Sequence, residues 1–160
     1  MGSGKTTVGK KLANKLNYNF IDLDAEIEKQ ELSSIHQIFS KKGEENFRAL
    51  EHQKLLDLLA NKKVVVSCGG GTPCFNNNME FMTKNGITIY IKLSVEALHS
   101  RLKSNKENRP LISSLNDESL KAYIHQKLNE REEVYIKSKI IITGLSVNIN
   151  DLVTTINGFH

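Results

Sequence analysis

Cysteine, arginine and long apolar runs are all scarce in this chain. Its 160 residues contain two cysteines, Cys68 and Cys74, with no CxxC pair and no cluster of histidines. That pattern argues against a disulfide framework and a structural zinc site, and fits a protein of the reducing cytoplasm. There is no run of 18 apolar residues and no signal peptide, so neither a membrane anchor nor export is expected. Of 22 basic side chains only four are arginines, Arg48, Arg101, Arg109 and Arg131. In a chain that uses lysine for its solvated surface, an arginine is expected where a planar fork must grip carboxylate or phosphate. The net charge of +4 suits an anionic ligand but is too small and too dispersed to indicate nucleic acid. Hydrophobic content of 39% and charged content of 25% are those of a soluble globular protein, and the length predicts one domain over residues 1–160.

The N-terminal heptapeptide Met1-Gly2-Ser3-Gly4-Lys5-Thr6-Thr7 carries the most information. It reads as the back half of a phosphate-binding loop, G-x-x-x-x-G-K-[ST]. In such a loop backbone N–H groups cradle the phosphates, the lysine reaches the β/γ oxygens and the threonine hydroxyl ligates Mg²⁺. A helix over 7–16 would add the partial positive charge of its N-terminus. The first glycine of the pattern would fall two positions before Met1, and the strand that normally leads into the loop is absent. The expectation is an N-terminally incomplete chain, with an internal methionine taken as the start. The alternative is a genuine short form that binds nucleotide weakly.

Helix and strand signals alternate along the rest of the chain. Residues 19–23 (NFIDL) read as a strand ending in Asp22 and Asp24, followed by helices over 24–31 and 34–42 with Ser33 and Ser34 as N-cap candidates. Gly43 breaks that pattern, and 44–60 resumes it. Residues 63–67 (KVVVS) form a β-branched run, as expected of a strand covered on both faces. Further on lie a helix near 76–84, a strand over 87–93, a helix to 103 capped by Ser94, a helix over 116–137, a strand over 140–143 and a helix over 149–157. The polar stretch 104–115 predicts a mobile lid near 104–116. Repeated βα units predict a three-layer α/β/α fold with a parallel sheet, its first central strand missing from this chain.

Five features fall where such a sheet places a site. Asp22 and Asp24, two apart at a strand end, are expected to share one face. One could hold a Mg²⁺-bound water while the other accepts a hydrogen bond from an attacking hydroxyl; the alternative is a pair of turn or capping aspartates. Gly69-Gly70-Gly71 permits close approach to a ligand and unusual dihedrals, or is a plain turn. Arg48 and Glu51, three apart on one helix, are either a surface pair or an arginine oriented to grip a carboxylate. Arg109-Pro110-Leu111 would supply either a lid arginine or an ordinary solvated loop residue, and Arg131 lies either at the site or in an exposed ladder with Glu130, Glu132 and Glu133.

In this order the motifs resemble the shikimate kinase family. The likeness rests on the phosphate loop, Asp22-Leu23-Asp24, the G-E-x-x-F-R-x-x-E set of Gly43, Glu44, Phe47, Arg48 and Glu51, Gly69-Gly70-Gly71, Arg109-Pro110-Leu111, and Arg131 to Tyr135. The resemblance implies a P-loop kinase of the nucleoside monophosphate kinase-like fold, a monomer, that phosphorylates the 3-hydroxyl of shikimate with ATP and Mg²⁺ on the route to chorismate. It implies ATP binding by Gly2, Ser3, Gly4, Lys5, Thr6, Thr7 and Arg109. Catalysis would fall to Asp24, Lys5 and Arg109, and substrate binding to Asp24, Arg48, Gly69, Gly70, Gly71 and Arg131. Magnesium would sit on Thr6 and, through water, on Asp22. Arg101 is a candidate for adenine stacking, although its spacing to Arg109 is slightly long for the family. The rivals are a gluconate or nucleoside monophosphate kinase and a non-catalytic nucleotide-binding module.

Overall fold

The computed structural model describes residues 2–104 and 110–159. Its strands are β1 (Asn19–Asp22), β2 (Val64–Ser67), β3 (Ile89–Lys92) and β4 (Ile140–Thr143). β1 runs parallel to β2, with Asn19 opposite Val64 and Asp22 opposite Ser67. β3 runs parallel to β4, with Ile89 opposite Ile140. Among the described residues the two pairs are not hydrogen-bonded to one another. Parallel partners need long crossovers, and helices supply them. These are α1 (Lys5–Leu16), α2 (Leu23–Glu31), α3 (Ile35–Asp57), α4 (Asn78–Asn85), α5 (Val95–Lys103), α6 (Pro110–Ser113), α7 (Asp117–Tyr135) and α8 (Ile149–Asn157).

The alternation of side chains along β2 builds the layers. Val65 packs with Leu12 of α1 and with Leu152 and Ile156 of α8. Its neighbour Val66 turns the other way, against Leu23, Ile27, Ile38, Phe47 and Leu55 of α2 and α3. Ile89, Ile140 and Ile142 join the α1/α8 cluster, so the same helices cover both strand pairs. Leu93, Leu98, Leu102, Ile112, Leu120 and Ile124 form a third cluster around α5, α6 and α7. The expected three-layer α/β/α arrangement of helices around parallel strands is therefore present.

Helix starts follow local chemistry. Ser34 caps α3 in a reciprocal capping box with Gln37, while the Ser94 and Asn116 side chains accept from the Ala97 and Ser119 N–H groups. Several boundaries differ from the sequence expectation, and three of them bear on the site. The strand over 19–23 stops at Asp22, because Leu23 turns fully inward as the first residue of α2. Asp22 and Asp24 therefore do not share a strand face; Asp24 leaves from the first turn of a helix. Gly43 breaks the dihedral pattern (φ 80°, ψ 170°), yet the helical runs on either side abut, so the two expected helices form the kinked α3. Within the expected lid, Pro110–Ser113 form the short α6, and Ile112 is buried in the third cluster. Residues 105–109, and with them Arg109, lie outside the described residues.

Leu102 is fully buried, and a Cβ on Gly2 would lie 2.9 Å from its Cγ, so this leucine couples α5 to the phosphate loop. Leu102→Ala is expected to lower the unfolding free energy by about 2–5 kcal/mol in denaturant titrations. A loss under about 1 kcal/mol would mean that the third cluster is not part of the cooperative core.

Candidate active site

A cleft of about 520 Å³ opens at the C-terminal ends of β1 and β2, the usual ligand position for parallel sheets. Gly2, Ser3, Gly4, Lys5, Thr6, Thr7, Asp24, Gly69, Gly70, Arg101 and Ser104 line it. Lys5 and Asp24 thus face one space. Gly2 (φ 67°) and Gly4 (φ 85°) adopt left-handed backbone, the geometry that curls successive N–H groups around an anion. α1 begins at Lys5, and its N-cap Gly4 has no side chain to occupy the first-turn N–H groups.

Oxygen donors gather beside the loop. The Thr6 hydroxyl donates to Asp22 Oδ2 at 3.1 Å. Ser67, opposite Asp22 in the β1–β2 register, has a buried hydroxyl with no hydrogen-bond partner among the described residues. Burial pushes the Asp24 carboxyl above its ordinary range; Lys5 draws it back, while Glu51, Asp22 and Glu28 add to the rise.

Arg48 lies beside the cleft, against Gly71, the residue after the lining Gly70. Its Nη1 donates to Glu51 Oε2 at 2.6 Å, and its Nη2 and Nε donate to Glu44 Oε1 at 2.9 and 3.2 Å. The Glu51 side chain is 1% exposed and that of Glu44 is 57% exposed. The guanidinium carbon sits 4.2 Å from the Phe75 ring centroid, 5.3 Å from that of Phe47 and 5.7 Å from that of Phe39. Burial disfavours its charge, but the hydrogen bonds to Glu51 and Glu44 outweigh that and raise its pKa. The surface-pair alternative is thereby replaced by an oriented, largely enclosed arginine.

The glycine triplet works by space rather than by unusual dihedrals. Its members are not among the positive-φ glycines, and Gly71 has φ −82°. A Cβ on Gly71 would lie 2.6 Å from both Nη atoms of Arg48, and one on Gly69 would lie 3.0 Å from Asp24 Oδ1. Tyr135 donates its hydroxyl to the Gly70 carbonyl at 2.5 Å. Arg131, one helical turn before Tyr135, acts on the Tyr135 hydroxyl and on the Cys74 thiol, and Arg48 acts on the same thiol. In both groups burial raises the pKa, and the arginines oppose it. Of the carboxylates flanking Arg131, Glu132 binds Lys92 at 2.5 Å and Tyr90 at 2.8 Å, while Glu130 binds Lys127 at 2.6 Å and is also influenced by the Arg131 charge. Arg48 and Arg131 thus both act on the Cys74 thiol, which follows the glycine triplet by three residues.

Arg101 donates to the Ser3 carbonyl at 3.0 Å and to the Leu145 carbonyl at 2.7 Å, tying the phosphate loop to the segment after β4. Sequence reasoning missed Thr72, Asn78 and Phe75. The first two are fully buried polar residues, and Thr72 donates its hydroxyl to Glu51 Oε1. Only their position just after the glycine triplet could have drawn attention to them.

A glycine-built phosphate cradle, an acidic group facing its lysine and a pair of arginines beyond define a P-loop small-molecule kinase. The family model described as shikimate kinase matches residues 1–156. A shikimate kinase of Parabacteroides distasonis is 45% identical over 140 residues, 88% of this chain and 81% of that protein. One of Azobacteroides pseudotrichonymphae is 43% identical over 96% of this chain and 91% of its own. The crystal structure of shikimate kinase from Bacteroides thetaiotaomicron superposes with a TM-score of 0.91 at 36% identity, covering 99% of this chain and 93% of that one. The Acinetobacter baumannii enzyme in complex with shikimate gives 0.84 at 34% identity, over 99% of this chain and 87% of that one. The chain belongs to the shikimate kinase family.

Because Asp24 is more easily protonated when folded, the folded state holds its proton to higher pH than the unfolded chain does. Its burden on stability is absent below the ordinary value of 3.8, grows as pH rises from there through the folded pKa, and is complete above that folded pKa. Asp24→Asn is therefore expected to be more stable than the parent at pH 7, with the difference shrinking as pH falls through the folded pKa and gone below 3.8. Equal stability of the two at every pH would contradict the buried position assigned to Asp24.

Proposed function

We propose that this chain transfers the γ-phosphoryl group of ATP to the 3-hydroxyl of shikimate, on the route to chorismate and the aromatic amino acids. One observation carries the reading. Lys5 and Asp24 face each other across a cleft lined by Gly69 and Gly70, and Arg48 packs against the next residue, Gly71. An anion cradle and a carboxylate grip thereby adjoin one acidic group.

Phosphoryl transfer needs positioning and charge stabilisation more than covalent chemistry. Gly2, Ser3, Gly4 and Thr7 present backbone N–H groups to the nucleotide phosphates, while Lys5 and Arg109 neutralise the group in transit. Asp24 hydrogen-bonds the shikimate hydroxyls and orients or deprotonates the nucleophile; its raised pKa makes it a stronger base than a solvated aspartate. Arg48 and Arg131 hold the acid group, with Gly69, Gly70 and Gly71 leaving it room. The paired Thr6 hydroxyl and Asp22 carboxylate, beside the unpartnered Ser67 hydroxyl, fit a hard cation that takes oxygen ligands. Bound there with the nucleotide, Mg²⁺ would neutralise charge across the β- and γ-phosphates. Lys5, Asp24, Arg48 and Arg131 come from one chain, which we read as a monomer acting as one catalytic domain in the cytoplasm, where its nucleotide is abundant. No helix among the described residues is long and apolar enough to cross a membrane.

ADP release measured with shikimate, quinate, gluconate and nucleoside monophosphates tests the assignment. Turnover confined to gluconate or to nucleotides would overturn it. Arg48→Ala and Arg48→Lys are both expected to raise the KM for shikimate, the alanine variant by about 10–100-fold, because a hydrogen bond between charged groups is worth about 1.5–3 kcal/mol. The KM for ATP should stay within about twofold in both, as neither change touches the phosphate loop. In the same assay Asp24→Asn should depress kcat while the protein remains folded, and unchanged turnover would remove its role.

A further inference from the structure

The carboxylate that orients Arg48 needs a holder of its own. Glu51 is 1% exposed, and a buried carboxylate is tolerated only when its oxygens are paired. Oε2 accepts from Arg48, while Oε1 accepts from the Thr72 hydroxyl. This second bond lies directly beneath the cleft. A Cβ on Gly69 would come 3.1 Å from Thr72 Oγ1, 3.2 Å from Glu51 Oε1 and 3.0 Å from Asp24 Oδ1.

Thr72 is itself fixed. It is fully buried, its N–H donates to the Gly69 carbonyl at 3.2 Å, and its carbonyl accepts from Asn78 Nδ2 at 2.8 Å. Asn78 is also fully buried, and its Oδ1 lies 2.6 Å from His52 Nδ1. With the Asn78 amide nitrogen committed to Thr72, its oxygen can only accept, so the network assigns the proton of that contact to His52 Nδ1. His52 directly follows Glu51 in α3. The bonds therefore close a ring that leaves α3 at Glu51, passes through Thr72 and Asn78, and returns at His52.

We propose that Thr72 is a positioning residue for the acid-binding arginine: held by Asn78 and His52, it locks the Glu51 carboxylate and through it the Arg48 fork. The inference rests on the reading of Arg48 as the carboxylate grip. Without the hydroxyl, one buried oxygen of Glu51 loses its donor and the carboxylate is free to rotate, carrying the guanidinium with it. Binding of the acid substrate suffers, while the nucleotide end of the cleft is untouched.

Steady-state kinetics with both substrates test this. Thr72→Val keeps the shape and removes the hydroxyl. It is expected to raise the KM for shikimate about tenfold, as for a buried acceptor left without its donor, and to leave the KM for ATP within about twofold. Thr72→Ser restores the hydroxyl and should return the KM to within about twofold of the parent. In an Arg48→Ala background, Thr72→Val should add less than about twofold, because nothing remains to be positioned. Should Thr72→Val fail to fold, His52→Leu, which removes the outer donor of the ring, is expected to shift the KM for shikimate about threefold with that for ATP unmoved. An unchanged KM for shikimate, an equal rise for both substrates, failure of serine to rescue, or full multiplication of the Thr72 and Arg48 effects overturns the relay. If the parent turns over shikimate, any of those results leaves the reaction assignment standing. A parent inert toward shikimate overturns both.

Discussion

Placing a charged carboxylate in the interior beneath the glycine triplet is the constraint to which the rest of the site conforms. Glu51 would be strongly destabilising there if either oxygen went unpaired. One pairing brings Arg48 across the face of Gly71, and the other brings Thr72 beneath Gly69. A Cβ at Gly71 would overlap the Arg48 fork, and one at Gly69 would crowd Thr72, Glu51 and Asp24. The kink at Gly43 lets α3 restart with Glu44 one turn before Arg48, and Phe39, Phe47 and Phe75 close around the guanidinium. A sharply bent helix, a run of glycines and a buried polar cluster thus have one cause.

The same economy appears at the phosphate end. Gly2 packs so close to Leu102 that no side chain fits, and Arg101, the residue before Leu102, binds the Ser3 carbonyl. α5 therefore braces the loop from two sides, by apolar contact and by a charged hydrogen bond. Ser3 and Arg101, 98 positions apart in sequence, are brought together by the parallel crossovers, which return each strand end to one edge of the layer.

Much of this was legible in the residues. Helices and strands followed from periodicity and caps, and the site from a phosphate loop, an acidic pair, three glycines and rare arginines. Asp24 was found for a partly mistaken reason. Alternation along a strand was expected to align it with Asp22, whereas the burial of Leu23 ends the strand and puts Asp24 on a helix that reaches the cleft. The Thr72–Asn78–His52 chain could not be read ahead, because threonine, asparagine and histidine are ordinary loop and helix residues until tertiary packing removes their water. Unusual dihedrals at the glycine triplet were a wrong expectation for a related reason: crowding by residues distant in sequence leaves no local signature. Glu44 was quoted only as part of a motif, and nothing in its spacing shows that it shares a guanidinium with Glu51.

That sharing explains why the position calls for arginine in a chain otherwise rich in lysine. An ammonium is a point charge, and one buried carboxylate would saturate it. A guanidinium has separate ends. At Arg48 the Nη1 end is committed to a carboxylate sealed from solvent, where the interaction is strong and the geometry rigid. The Nε/Nη2 edge meets Glu44, whose side chain is 57% exposed, and a solvated pair of that kind is worth only about 0–1 kcal/mol. The arginine is thus anchored at one end and exchangeable at the other. On the proposed reading of Arg48 as the carboxylate grip, a substrate carboxylate would replace Glu44 on that edge at small cost, because the orientation it needs is already set by Glu51. The unequal burial of two glutamates seven residues apart therefore separates holding the arginine from offering it.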